Sequence, residues 1–142
     1  MTLPGLHIDS IQELFDALNK EAKEIQSFTE ITMSEDMNEV VYRGNALQVY
    51  IARTGAMLAE AEYVLNFRLE TAVMSAIAEI MEANKLSAGV QNALVASRLK
   101  EERKLVKTIE RLNRTVTHQS EWCRSVLSKC REEMRLTNYL PN

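Results

Sequence analysis

Seven cationic side chains, Arg98, Lys100, Arg103, Lys104, Lys107, Arg111 and Arg114, lie within seventeen residues of a 142-residue chain. Lys100, Lys104, Lys107, Arg111 and Arg114 follow one another at steps of four and three, the spacing that puts side chains on one flank of a helix. Such a stripe can neutralise successive phosphates and release their counterions, which gives salt-sensitive binding with little sequence preference. Arg98, Lys100, Lys104, Lys107, Arg111 and Arg114 are therefore the candidate nucleic-acid contacts. The competing reading is an ordinary solvated face, because Glu101, Glu102 and Glu110 are interleaved with these cations.

The remaining reactive residue types offer little chemistry. His7 and His118 are the two histidines, and Cys123 and Cys130 the two cysteines. On one straight helix, His118 and Cys123 are separated by about 140° of rotation, so His118, Cys123 and Cys130 cannot converge on one zinc ion. No Glu-x-x-His pair, phosphate loop, nucleophile elbow or paired-cysteine motif appears. Glu60 with Glu62 and Glu79 with Glu82 read as solvated helix carboxylates. The expectation is a protein without catalysis, metal or cofactor. Cys123 and Cys130, two turns apart, are too distant to bridge each other; they read as packed thiols, or as thiols near a symmetry mate.

Charge is distributed unevenly along the chain. Residues 1–97 carry six basic and fourteen acidic side chains, a net of −8, whereas residues 98–142 carry eleven and six, a net of +5. A basic arm of this kind attracts nucleic acid, or pairs with the acidic part of its own chain or of a neighbouring subunit. No apolar run reaches the roughly 20 residues that cross a bilayer, and the first ten residues lack the features of a signal peptide. A cytoplasmic protein without membrane association is expected.

The composition has 46% apolar but only 6% aromatic residues, with four Gly and two Pro. Aliphatic surface with few breakers suits helix-on-helix packing, so the expected class is all-α: an elongated antiparallel hairpin with coiled-coil character plus a short N-terminal helix, in one domain. Ser10 with Glu13 matches a capping box, and Ile11, Leu14, Phe15, Leu18, Ala22 and Ile25 make one apolar face, which gives a first helix over residues 8–27. Residues 28–34 read as an extended connector ending at a Ser34 cap. A second helix follows over residues 35–84, with a break expected near Gly44 and a stripe of Leu47, Ile51, Thr54, Leu58, Ala61, Leu65, Leu69, Ala72, Ala76 and Ile80. Its small residues Ala52, Gly55, Ala56, Ala59 and Ala61 predict a close helix crossing near Gly55, or else a hinge. Asn84 to Gly89 is the expected turn.

From Ser87 to Leu136 there is one Gly and no Pro. One unbroken helix on the order of 70 Å long is expected. Its stripe of Leu105, Ile109, Leu112, Val116, Gln119, Cys123, Val126 and Cys130 is close to a heptad repeat, with Gln119 as a polar seam residue able to set register or oligomer state. If Ser87 lies opposite Asn84, Leu127 falls opposite Gly44, and a break there leaves the end of the helix without a partner. The expectation is a homo-oligomer closed by Val116, Gln119, Trp122, Cys123, Val126, Leu127 and Cys130. Trp122 reads as an anchor of that seam, with base stacking as the alternative.

The order of these features, together with the extended segment from Ile31 to Glu35, Tyr50 in a helix with a small-residue centre, and the run from Glu121 through Trp122 and Cys123 to Leu127, resembles the UvsY-like recombination mediators of tailed phages. The resemblance spans about residues 31–136. It implies an oligomer that binds single-stranded DNA, contacts a single-strand-binding protein and helps load a RecA-type recombinase. One departure is the acidic centre: residues 60–85 offer Arg68 and Lys85 against five glutamates, so DNA contact is expected at residues 98–114 and not there. The alternative function is an oligomeric structural or protein-interaction module, such as a phage inhibitor of a host protein, with no nucleic-acid binding.

Overall fold

The computed structural model describes residues 8–83 and 88–139, with side chains described outside 8–9, 80–83, 88, 91 and 139. Four helices follow in order: α1 Ile8–Thr29, α2 Met37–Ala83, α3 Ala88–Arg98 and α4 Lys100–Tyr139. The architecture is all-α, with α2 and α4 packed side by side and α1 lying against both. Of the turn expected from Asn84 to Gly89, residues 84–87, including the Asn84 and Ser87 caps, lie outside the described residues, whereas Ala88 and Gly89 already belong to α3.

α1 begins before its expected Ser10 cap and runs two residues past Ser27. Ile11, Leu18, Ala22 and Ile25 are buried on its inner face, with Leu14 and Phe15 at the edges. Its C-terminal carbonyls, which no helical amide can satisfy, are held by side chains from the other two long helices. Arg43 Nη2 donates to Phe28 O at 3.1 Å, and Gln119 Nε2 donates to Thr29 O at 2.9 Å. Gln119 Oε1 in turn accepts from Arg43 at 3.0 Å, and the Arg43 guanidinium lies 4.6 Å from the Phe28 ring centroid. The polar seam residue thus docks the end of α1.

The cap of α2 is Asp36 and not Ser34. Asp36 Oδ1 accepts from the amides of Asn38 and Glu39, each at 3.1 Å, and Ser34 Oγ accepts from the Asp36 amide. α2 then continues without a break for 47 residues. Gly44 is a contact point and not an interruption: a Cβ built there meets Cys123 Cβ at 3.6 Å, ordinary packing distance. Gly55 corrects the other glycine expectation, because among the described residues nothing outside its own helix comes within 4 Å of a Cβ there. Ala52, Gly55, Ala56 and Ala59 look away from the core, and of the small residues named only Ala61 faces it.

Leu47, Thr54 and Ala61 are buried at heptad spacing, joined by Val40, Met57 and Val64, while Ile51, Leu58 and Leu65 are half-buried. The true seam is rotated toward Met57 and Val64. Opposite it α4 contributes Leu105, Ile109, Leu112, Val116 and Cys123. Polar pairs fix the register: Asn113 Nδ2 donates to Thr54 Oγ1 at 2.9 Å, and Gln48 Nε2 donates to Ser120 Oγ at 2.7 Å. Thr54 itself donates to Tyr50 O, so this fully buried hydroxyl is satisfied on both sides.

This register corrects the oligomer argument. Cys123 stands opposite Gly44 where Leu127 was expected, and the intact α2 covers what a break would have bared. Val116, Cys123 and Val126 are buried within the chain, and Trp122, Leu127 and Cys130 pack at the edge of the same core. Only past Cys130 does α4 lose its cover: Met134 and Leu136 are more than half exposed.

The expected single helix from residue 87 to 136 is interrupted at Leu99. There the Leu99 amide reaches only to Ala96 O, at 3.3 Å, in a tight turn, and Arg103 N resumes the ladder on Leu99 O at 3.0 Å. Leu99 is 1% exposed and shares a hollow with Ile11, Phe67 and Ala72. Burial of this side chain, at about 1.5–3 kcal/mol, outweighs one weakened helical bond.

An ion pair joins α1 to α2. Arg53 binds Glu21 with two bonds, Nε to Oε1 at 2.5 Å and Nη2 to Oε2 at 2.7 Å. The hydrogen bond from Arg53 holds the Glu21 carboxyl below its ordinary range, against a smaller opposing effect of burial. A lowered carboxylate stabilises the fold above its unfolded-state value, near pH 4.3, and that contribution is lost as pH falls through the folded value. Both side chains are partly exposed, so the effect should stay within about 1 kcal/mol. Urea titrations of Glu21→Gln are expected to show a stability deficit at pH 6 that shrinks as pH falls below the ordinary glutamate value of about 4.3.

A basic face on the fourth helix as the candidate functional site

α4 turns one side to the core, through Glu102, Leu105, Val106, Ile109, Leu112 and Val116, and this fixes what its other flank displays. Lys100, Lys104, Lys107, Arg111 and Arg114 are all exposed, in register with the expected stripe. Arg103, one turn from both Lys100 and Lys107, joins them around a shallow open hollow that also includes Ala96, Ser97, Thr108 and one acid, Glu110. Its spacing marked it in the sequence, although it fell off the three-four series.

The interleaved acids divide. Glu102 turns inward, 5% exposed, and pairs with Arg68 of α2; Glu101 and Glu110 stay exposed. Among the described residues, no carboxylate lies within 4 Å of Lys100, Arg103, Lys104, Lys107, Arg111 or Arg114. Arg98 differs. It sits at the end of α3, across the break, and binds Glu79 Oε1 at 2.6 Å, which takes it out of the free cationic set.

A neighbouring groove between α1 and α4 brings Lys23 alongside Lys104 and Arg111, with Glu101 on its rim. Lys23 is an exposed residue of α1, and tertiary packing alone adds it to this face. The cations cover about 21 Å of helix between Lys100 and Arg114.

Trp122 belongs elsewhere. It is half-buried and lines a pocket of about 290 Å³ with Phe28, Met33, Arg43 and Cys123, so it does not stand free beside the stripe. His118 is largely exposed, with Nδ1 3.4 Å from Glu121 Oε2. Burial pushes the Cys123 thiol up from its ordinary range, opposed by the charge of Arg43. A thiol held protonated is a poor nucleophile.

Within the described residues, no helix is long and apolar enough to cross a membrane. Comparison with known proteins finds no family model, no curated protein and no solved structure that matches the chain.

Proposed function

We propose that this chain is a non-catalytic accessory that binds single-stranded DNA through the exposed face of α4, with the loading of a RecA-type recombinase, alongside a single-strand-binding protein, as the setting that its family resemblance implies. The observation that carries the reading is that six cations within fifteen residues stand exposed with no carboxylate within 4 Å among the described residues, although Glu101 and Glu110 lie on the same flank, while Glu102 is turned into the core. Lys104, Lys107 and Arg114 each have a glutamate three or four residues away, yet none of these pairs closes to 4 Å, so the cations stay available to an outside anion.

A phosphate-tracking face without an aromatic platform predicts binding that depends on salt and ignores base sequence. An oligonucleotide titrated at about 50 mM salt should be retarded by micromolar protein. The logarithm of its binding constant should fall with the logarithm of salt at a slope near −3, about −0.7 for each of four to five phosphates. No retardation at tens of micromolar protein would overturn the proposal.

The second reading, an interaction module without nucleic acid, is favoured by exposed apolar side chains: Met134 and Leu136 beyond the end of α2, and Tyr42 and Val49 on its outer face. Under that reading, the same titration shows no binding at any salt concentration.

A further inference from the structure

α2 carries two heptad series. One, through Leu47, Thr54 and Ala61, faces the core. The other runs through Tyr42, Asn45, Val49, Ala52, Ala56, Ala59, Tyr63 and Asn66 at strict steps of three and four, and every member is exposed. The two are offset by two residues, about 200° of helix, so the second lies on the opposite side. Tyr42 is 75% exposed, Val49 66% and Tyr63 45%. Apolar side chains in heptad register on a solvent face are the pattern of a seam whose partner helix is missing.

From this arrangement we infer that the outer face of α2 is the docking surface for a second copy of this chain, with the two α2 helices antiparallel about a two-fold axis beside residue 54. The order of residues along the series identifies the occupant. In an antiparallel pair, residues equally far from the axis face each other, and about residue 54 every member of the series finds a suitable partner. Tyr42 meets Asn66, Asn45 meets Tyr63, Val49 meets Ala59, and Ala52 meets Ala56. Each Tyr ring then faces an amide able to bond its hydroxyl, the one branched residue faces a small one, and the centre is Ala against Ala with Gly55 at its flank. A foreign partner would impose no symmetry about a single residue, whereas a two-fold contact with itself requires it.

The size is adequate. With residue 54 on the axis, residue 37 lies opposite residue 71, so about 52 Å of each helix is in contact. A strip about 10 Å wide on each copy gives roughly 1,000 Å² in total, the lower bound for a specific interface. Small central residues allow the axes to approach to about 8 Å. The basic face of α4 takes no part in this contact.

Light scattering on the full chain from 5 to 100 µM should give twice the monomer mass, and Ala52→Glu with Ala56→Glu should return the monomer mass at unchanged helical ellipticity, since both sites are exposed and Glu is a good helix former. A native chain that stays monomeric at 100 µM, or an assembly that survives both glutamates, overturns the inference. A second measurement holds even if those variants fold poorly: a mixture of Ala52→Cys and Ala56→Cys chains should form disulfide-linked dimers faster than either chain alone. Faster crosslinking of Ala52→Cys with itself would mean a parallel pair and would equally overturn it.

Discussion

Replacing Lys104, Lys107, Arg111 and Arg114 together by Glu is expected to lower affinity for single-stranded DNA at about 50 mM salt by at least a thousandfold. Counterion release from four phosphate contacts scales as salt to the power of about −2.8, which at 50 mM amounts to roughly 4,000-fold relative to 1 M salt. Losing the four cations removes that factor, and four new carboxylates add repulsion. All four residues are exposed and make no ion pair among the described residues, so melting behaviour should change little. The charge-preserving set with Lys and Arg exchanged should bind nearly as the native chain does. Fluorescence anisotropy of a labelled oligonucleotide would check both, and equal affinity for the native and Glu-substituted chains would remove α4 as the contact surface.

Arg68→Met is expected to cost about 3–5 kcal/mol of folding stability. Arg68 is the point at which three helices meet: its guanidinium bonds Glu102 of α4 and Gln12 of α1, and it lies 4.9 Å from the Phe15 ring centroid. Glu102 has one carboxylate oxygen, Oε2, buried without a hydrogen-bond partner, so Arg68 is what compensates its charge. Remove the cation and a 5% exposed carboxylate remains with nothing to balance it. Glu102→Gln should cost less, because a neutral amide tolerates burial better. The double variant Arg68→Met with Glu102→Leu should recover most of the loss, since two apolar groups restore the packing without any charge to desolvate. Urea midpoints of the native chain, Arg68→Met, Glu102→Leu and the double variant form a double-mutant cycle, and additive losses would show that the pair is not coupled.

Helix positions and the inner face of α1 were readable from periodicity because burial of Ile11, Leu18 and Ile25 repeats at helical spacing. The break expected near Gly44 did not form, because glycine inside a helix weakens it but equally allows close approach. Only the position of Cys123 decides between them. Gly55 went the other way, since its small neighbours signal a helix contact without saying which element supplies it, and among the described residues none does. The break at Leu99 had no local signal at all. Ser97, Arg98 and Lys100 are ordinary helical residues, and the interruption comes from the hollow between α1 and α2 that takes Leu99. At the candidate site, the three-four stripe was legible in the sequence. The inward turn of Glu102 and the arrival of Lys23 were not, because each depends on which neighbour lies across the seam.

The turn at Leu99 also divides the chain into units that open separately. α3 has eleven residues, below the length at which a helix holds itself in water, and its Val90 is half exposed while Leu94 and Val95 are only partly covered. With the amide ladder loosened at one residue, the fraying of α3 has little to carry it into α4, so its amide protons are expected to exchange with solvent faster than those around Ile109. Each opening parts Arg98 from Glu79 and adds one more unpaired cation to the end of the basic face.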